Sequence, residues 1–414
     1  MTVLIAGAGI GGLTAALSLH QIGVPVCVFE SVRRIEPLGV GINLLPHAVR
    51  ELTELGLGET IEASGVPTAE LAYYSKHGQK IWSEPRGRAG GYRWPQISIH
   101  RGRLQMILLA AVRQRLGAEA VQTGRALTGW EARRGSVIAR FADDEAAEGA
   151  LLVGADGIHS TVRRLLYPAE GRPIWNGAIL WRGTTEAAPF LGGRTMIMAG
   201  HEFQKFVCYP ISLPGTDGRA TLNWIAERKF PRDRVWRRED WNRLGVPAEF
   251  LPSFEGWRFD WLDVPALIRA GLPCHEYPMV DRDPLPRWSA GRVTLLGDAA
   301  HPMYPIGSNG ASQAILDARV LAREIQAHGE APEALAAYEA ERRPATEAIV
   351  LANRRNGPEQ VMQLVEARAP DGFKRIEDVL TAAELEETAA AYKRVAGFDK
   401  EALNARPPIV EAGR

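Results

Sequence analysis

The residues best placed to do chemistry come first in the chain. Gly7-Ala8-Gly9-Ile10-Gly11-Gly12 sets three glycines at the Gly-x-Gly-x-x-Gly spacing, with Gly11 inside the same loop. It follows Val3-Leu4-Ile5-Ala6, an apolar run of buried-strand type, and leads into Leu13-Thr14-Ala15-Ala16-Leu17-Ser18-Leu19, which has helix-forming composition. A second strand, Val26-Cys27-Val28-Phe29, ends at Glu30. In such a unit Gly7 permits a tight turn, Gly9 lets a pyrophosphate approach the backbone, and Gly12 lets the helix pack on the strand. The helix N-terminus offers free N–H groups and a positive dipole end to the phosphates. Glu30 can accept hydrogen bonds from ribose hydroxyls, and an acid there disfavours a 2′-phosphate. The motif predicts a bound dinucleotide and leaves FAD or NAD open.

Two later stretches repeat the strand, turn and helix arrangement. Leu151-Leu152-Val153-Gly154-Ala155 runs into Asp156-Gly157 and then Ser160-Thr161-Val162-Arg163. Val293-Thr294-Leu295-Leu296 runs into Gly297-Asp298, then Met303-Tyr304-Pro305-Ile306-Gly307-Ser308-Asn309-Gly310. Taken singly, each Asp-Gly or Gly-Asp pair is also what a plain turn uses. His100, His159 and His301 have no paired metal-ligand spacing, so structural roles and no metal are expected.

In combination and in this order, the three motifs make the chain resemble the single-component FAD-dependent aromatic hydroxylases. This class is typified by para-hydroxybenzoate and salicylate hydroxylases, and the likeness is greatest to members acting on 5-methylphenazine-1-carboxylate. Residues 37–43, 98–102, 277–284 and 297–316 carry it, over roughly residues 1–355. The tail beyond Pro358 carries none of it. The resemblance implies an α/β fold with a Rossmann-like FAD-binding domain of the glutathione-reductase type (GR2), an inserted antiparallel β-sheet substrate domain and a C-terminal helical region. It implies that Asp298 bonds the ribityl chain of FAD, that Asn309 and Gly310 aim a helix N-terminus at the flavin N1–C2=O edge, and that Arg101 meets the pyrophosphate or ribityl chain. The backbone near Leu127 would meet the adenine. Asp156 and Gly157 would contact FAD and the nicotinamide cofactor, and Gly41 would also belong to the FAD site. Pro305 and Gly307 would shape the niche of a flavin C4a-hydroperoxide, whose distal oxygen attacks an electron-rich ring. Two-electron reduction leaves negative charge at the flavin edge, which a helix N-terminus stabilises. No second Gly-x-Gly-x-x-Gly follows a strand, so NADH or NADPH is expected to bind transiently.

These sites need elements to hold them. The FAD-binding domain is expected to be discontinuous, over 1–73, 98–171 and 272–330. Residues 74–97 and 172–271 would form the substrate sheet, from runs such as Ile179-Leu180-Trp181-Arg182-Gly183, Phe206-Val207-Cys208-Tyr209-Pro210 and Thr221-Leu222-Asn223-Trp224-Ile225. Residues 331–414 form the helical region, with a kink expected at Pro344. The 49 basic and 49 acidic side chains cancel, which argues against a general nucleic-acid binder. The three cysteines lie far apart without a Cys-x-x-Cys pair, so a reducing cytoplasm is the simplest home. The apolar start reads as the nucleotide-binding strand and helix, with no membrane span or signal segment.

For a flat aromatic substrate the candidate contacts are Tyr304, Trp181, Arg182 and Tyr209, then Trp224 and Met303, with Arg182 able to hold a carboxylate. Each is also what ordinary sheet packing uses. No catalytic base and no Ser-His-Asp or Cys-His arrangement can be placed. The expected activity is hydroxylation of an aromatic or N-heteroaromatic molecule, with decarboxylation left open, using O2 and NAD(P)H, in a monomer or homodimer. An FAD-dependent reductase and a non-catalytic flavin and aromatic-ligand binder are the alternatives.

Overall fold

Val3, Leu4, Ile5 and Ala6 are all buried, because the strand they form lies mid-sheet and is covered on both faces. The computed structural model describes residues 1–231 and 243–411; part of the expected sheet domain, 232–242, and the last three residues lie outside the described residues. Five parallel strands run in the order Val293–Leu295, Leu151–Gly154, Val3–Ala6, Val26–Glu30, Val121–Thr123. Ile5 sits between Val28 and Val153. Helix Ile10–Gln21 makes the first crossover and packs against helices Arg101–Leu116 and Gly310–His328. Parallel strands need such crossovers, and their C-terminal ends open the crevice where α/β folds bind ligands. A three-stranded antiparallel unit, 127–149, packs beside this sheet.

The second large sheet has seven strands, in the order His275–Asp281, Ile174–Ala187, Ala220–Lys229, Gln204–Pro210, Thr195–His201, Glu70–Tyr74, Lys80–Pro85. It is antiparallel except where Thr195–His201 runs parallel to Glu70–Tyr74. Glu70–Tyr74, which lies almost wholly before residue 74, and His275–Asp281, which lies just after residue 271, also pair into it. A third, three-stranded sheet joins Gly41–Leu44, Gln96–His100 and Val66–Thr68.

Side chains of the seven-stranded sheet alternate between two cores, as the period of two requires. One face places Trp181, Phe206 and Trp224 against Phe250, Phe254 and Ile268. The other turns Leu180, Met196, Met198 and Tyr209 toward Tyr304, Ile306 and the tail residues Val361, Met362 and Leu385. The tail therefore covers the same sheet face as the Tyr304 to Ile306 turn. Helix Pro332–Asn353 continues through Pro344. Among the described residues no helix is long and apolar enough to cross a membrane.

Candidate active site

At the end of the first strand Gly7 has φ +106°, in the left-handed region. A Cβ on Gly12 would lie 2.0 Å from the Gly7 carbonyl oxygen, so only glycine allows this helix start. Gly9 faces open space, with nothing within 4 Å of where its Cβ would be. It precedes helix Ile10–Gln21, whose first turn has no side-chain cap. Those amides remain available to a ligand. Gly11 does a different job: a Cβ there would meet Leu296 at 2.7 Å, so it lets the helix close on the Asp298 segment. The Glu30 carboxylate accepts from the Ala8 amide at 2.8 Å and from the Val32 amide at 3.0 Å, which fixes it at the strand end. Gly124 and Arg125 donate to the Val32 and Glu30 carbonyls, setting Leu127 just beyond that carboxylate's loop.

Asp298 lies in the turn after strand Val293–Leu295 and is exposed, yet it sits in a recess. The enclosing walls push its carboxyl pKa up, opposed by the charges of His301 and Arg101. The Cβ position of Gly310 is 4.0 Å from Asp298 Oδ1, so the N-terminus of helix Gly310–His328 and this carboxylate border one space. Asn309 leaves that terminus uncapped: its Oδ1 accepts from Gln313 Nε2 at 3.3 Å, while its Nδ2 donates to the Gly307 carbonyl and the Tyr392 hydroxyl. Arg101 begins helix Arg101–Leu116, donates its backbone N–H to Val40, and keeps an exposed side chain.

The turn that carries Asp298 is held from beneath by Asp317. Its carboxylate accepts from the Gly297 amide at 3.0 Å, pairs with His301 at 2.5 Å and takes Arg342 Nε at 2.7 Å. Burial works to raise this carboxyl, but the charges and hydrogen bonds of His301 and Arg342 hold it at about 2. Arg163 adds hydrogen bonds to the Ala299 and Ala300 carbonyls at 3.1 and 2.8 Å. Neither Asp317 nor Arg163 was singled out from sequence, since a lone charged residue on an amphipathic helix has no motif.

Asp156 turns the other way. Its half-buried carboxylate accepts from the Thr161 amide at 2.7 Å and from the Ser160 hydroxyl, beside the Ser160 cap of helix Thr161–Leu166. Burial pushes its pKa up. Gly157 supplies the positive φ of that turn. Asp156 and Gly157 thus shape the turn at the C-terminal end of strand Leu151–Gly154.

On the sheet, adjacent residues separate. Trp181 is 0% exposed and stacks on Phe250 with centroids 4.6 Å apart. Trp224 is equally buried and donates to Thr185 at 3.0 Å. Both belong to the core on the far face, so the expectation that they contact substrate is corrected. Arg182, one residue along, donates to the Gly41 carbonyl at 2.8 Å and is hydrogen-bonded to Tyr209. Its guanidinium lies 5.8 Å from the Tyr277 ring centroid. Burial raises the Tyr209 phenol to about 12 against the Arg182 charge. Gly41 also donates to Asn223 at 2.8 Å, so the sheet holds the 41–44 strand at both groups of one residue.

Tyr304 is buried and its hydroxyl bonds Asp281, which Arg354 holds at 2.7 and 3.1 Å. That anchors the turn and leaves Pro305 exposed at its tip, with Met303 half-buried before it. Gly307 has φ +69°, and a Cβ there would lie 2.1 Å from the Tyr392 hydroxyl. Tyr392, on helix Ala382–Val395, is the functional neighbour that sequence reasoning missed. A narrow, partly open cleft runs from Gly307 and Ser308 to the sheet residues Tyr73, Met196 and Met198.

One nucleotide cradle, two uncapped helix starts, two carboxylates for hydroxyl groups and one exposed arginine suit a dinucleotide whose far end meets a second sheet. This is the construction of a flavoprotein with a roofed reaction site. The scan against protein families matches residues 1–173 and 280–353 to an FAD binding domain. The chain is 49% identical over 361 residues to the phenazine 1,6-dicarboxylic acid hydroxylase of Lysobacter antibioticus, covering 85% of this chain and 89% of that one. It is 34% identical to 3-hydroxybenzoate 6-hydroxylase 1 of Aquipseudomonas alcaligenes, over 78% and 80% of the two chains. The structure of Klebsiella pneumoniae HpxO with FAD and uric acid superposes with TM-score 0.73 at 25% identity, over 96% and 95%. The chain belongs to the FAD-binding-domain family, among its single-component aromatic hydroxylases. It is a flavin-dependent monooxygenase with FAD as cofactor.

Proposed function

We propose that this enzyme hydroxylates a flat, carboxylated aromatic or N-heteroaromatic molecule, drawing electrons from NADH or NADPH. The observation that carries the reading is the shared recess of Asp298 and the uncapped helix at Gly310, joined through the Pro305 to Ser308 turn to the sheet face that carries Tyr73, Met196 and Met198. Reduced FAD supplies the activated oxygen, which no side chain can provide. The chain does the rest. Gly7, Gly9 and the helix at Ile10 hold phosphates, and Glu30 and Asp298 accept from hydroxyl groups. Arg101 adds positive charge to that recess, and the amides at Gly310 stabilise negative charge as it develops. Pro305 and Gly307 shape the approach with backbone groups, while the Arg182, Tyr209 and Gly41 contact closes the sheet against the cofactor domain. Such closure excludes water and keeps reduced cofactor from wasting oxygen.

The discontinuous division into cofactor domain, sheet domain and tail supports this arrangement. Dependence on the nicotinamide pool supports a cytoplasmic enzyme, as monomer or homodimer. The test is NAD(P)H oxidation by the FAD-loaded protein with a panel of aromatic acids under 18O2. Substrate-stimulated oxidation with one labelled oxygen in the product is expected. Turnover without label means a reductase, and binding without turnover means a ligand-binding flavoprotein.

A further inference from the structure

Three arginines crowd one buried carboxylate at the end of helix Ile10–Gln21 remote from Gly9. Glu51, 0% exposed, takes Arg319 Nε at 3.3 Å and Arg406 Nη2 at 3.3 Å, with Arg50 Nε at 3.9 Å. Arg50 and Glu51 lie on helix Pro46–Glu54, Arg319 on helix Gly310–His328, and Arg406 just beyond helix Lys400–Ala405 of the tail. Arg319 also donates to Ser18 at 3.3 Å and to Gln21 at 2.6 Å, and the Arg50 guanidinium lies 5.0 Å from the Trp94 ring centroid.

These contacts leave donors over. Arg50 is 2% exposed and Arg319 0% exposed, yet Arg50 Nε and Nη1 and Arg319 Nη2 have no hydrogen-bond partner, and neither has Arg406 Nε. Buried polar groups are nearly always satisfied, so four such N–H groups about one carboxylate call for a further acceptor. The charges agree. Among the described residues Glu51 is the only carboxylate paired with these three guanidiniums. Glu54 and Glu341 act on them from exposed positions, Glu341 being paired with Arg323, and the neighbouring Arg342 is matched by Asp317. His47 adds no charge, since burial and then the Arg406 and Arg342 charges push its pKa down to about 3. An arginine cannot relieve its burial by giving up the proton. Burial pulls the Arg319 and Arg406 pKa values down against the opposing charge of Glu51, so one carboxylate does not offset the desolvation of the group.

We infer that a compact inorganic anion of chloride size binds among Arg50, Arg319 and Arg406. The unpartnered nitrogens are sealed from solvent, which favours a monatomic ion over an organic acid. The ion fastens the tail at Arg406 to helices Pro46–Glu54 and Gly310–His328, at a distance from the nucleotide cradle, and it stands independently of the monooxygenase reading.

The test uses FAD-loaded enzyme prepared without chloride. Urea unfolding is followed in rising sodium chloride and in sodium gluconate of equal ionic strength, and crystals soaked in sodium bromide are measured for anomalous scattering. Binding to the folded state alone raises the unfolding midpoint in chloride beyond that in gluconate. R406Q, at a half-buried position, should move the chloride concentration at which this rise sets in upward by about 10-fold, as loss of one charge-assisted hydrogen bond does. R34Q, at an exposed arginine, should leave it unchanged. One anomalous bromide peak among the three guanidiniums is expected, and it decides without any variant if R406Q is poorly folded. No rise specific to chloride, a chloride dependence in R406Q equal to that of wild type, or density at the site with no anomalous signal, which identifies water, would overturn the inference.

Discussion

The Tyr392 hydroxyl lies 3.0 Å from Asn309 Nδ2, linking the C-terminal tail to the residue that starts helix Gly310–His328. The same oxygen is 2.7 Å from Asn353 Oδ1 and 3.2 Å from the Ile306 carbonyl. One phenol therefore ties the reaction-site turn, the following helix and the long helix Pro332–Asn353 together. By accepting from Asn309 Nδ2, it helps hold that side chain in the orientation that leaves the helix terminus uncapped.

Y392F should cost about 1–3 kcal/mol, because it strips partners from buried Asn309 and Asn353. Urea unfolding measures that loss. Turnover should fall as well, through a looser 305–309 turn, while FAD content on purification stays near one per chain. A variant as stable and as active as wild type would mean the hydroxyl has no positioning role.

The nucleotide end was legible in sequence because its determinants are local. Gly7, Gly9, Gly12 and Glu30 occupy one strand, turn, helix and strand unit, and each spacing reflects a contact within it. Asp298 follows its own strand in the same local way. Asp156 occupies an equivalent place after its own strand but bonds Thr161, a choice set by the Ser160 N-cap sequence that follows. The sheet was harder. Trp181 and Arg182 are neighbours, and a period of two sends them to opposite faces; both faces are covered, so the apolar pattern does not say which one meets the cofactor domain. Tyr392 acts across more than eighty residues of chain, from a helix whose composition carries no site motif. The one visible hint was a tyrosine in an Ala- and Glu-rich stretch.

The two faces predict opposite behaviour for neighbouring residues. W181A should destabilise by about 3–5 kcal/mol, as removal of a buried indole does. The surviving folded enzyme should keep its KM for the aromatic substrate within about twofold, since the ring touches only the far core. R182Q should spare much of the stability and raise KM or uncouple NAD(P)H oxidation from product. Steady-state kinetics alongside denaturant titration separates the two. A raised KM in W181A at unchanged stability would put the indole at the site after all.

Asp317 sets an acid limit. Its carboxyl is held at about 2 in the folded protein, below the ordinary value of 3.8. A depressed pKa contributes stability that is complete above the ordinary value and is lost as pH falls toward 2. The contribution is about 2 kcal/mol. D317N lacks it and leaves the Arg342 charge buried without its partner, so it should be less stable than wild type at neutral pH by about 3–5 kcal/mol. The gap between the two proteins should narrow from pH 4 to pH 2. Denaturant titrations at several pH values check this, and parallel curves would show that the carboxylate is not titrating there.

Asp298 should behave in the contrary way, because its proposed part is to hold the cofactor and not the fold. Its side chain is exposed, and the turn beneath it is fixed by Asp317 and Arg163 through Gly297, Ala299 and Ala300. D298A should therefore change unfolding free energy by no more than about 0.5 kcal/mol. Its FAD dissociation constant should rise by about 10- to 100-fold, the range for one hydrogen bond to a charged acceptor. Removing the acid also relieves the desolvated carboxylate of the recess, which lowers the expected loss toward the bottom of that range. Fluorescence titration of apoprotein with FAD measures the affinity and urea unfolding of the same apoprotein measures the fold. Loss of stability with unchanged FAD affinity would assign Asp298 to the architecture and leave the cofactor's hydroxyl groups to other residues.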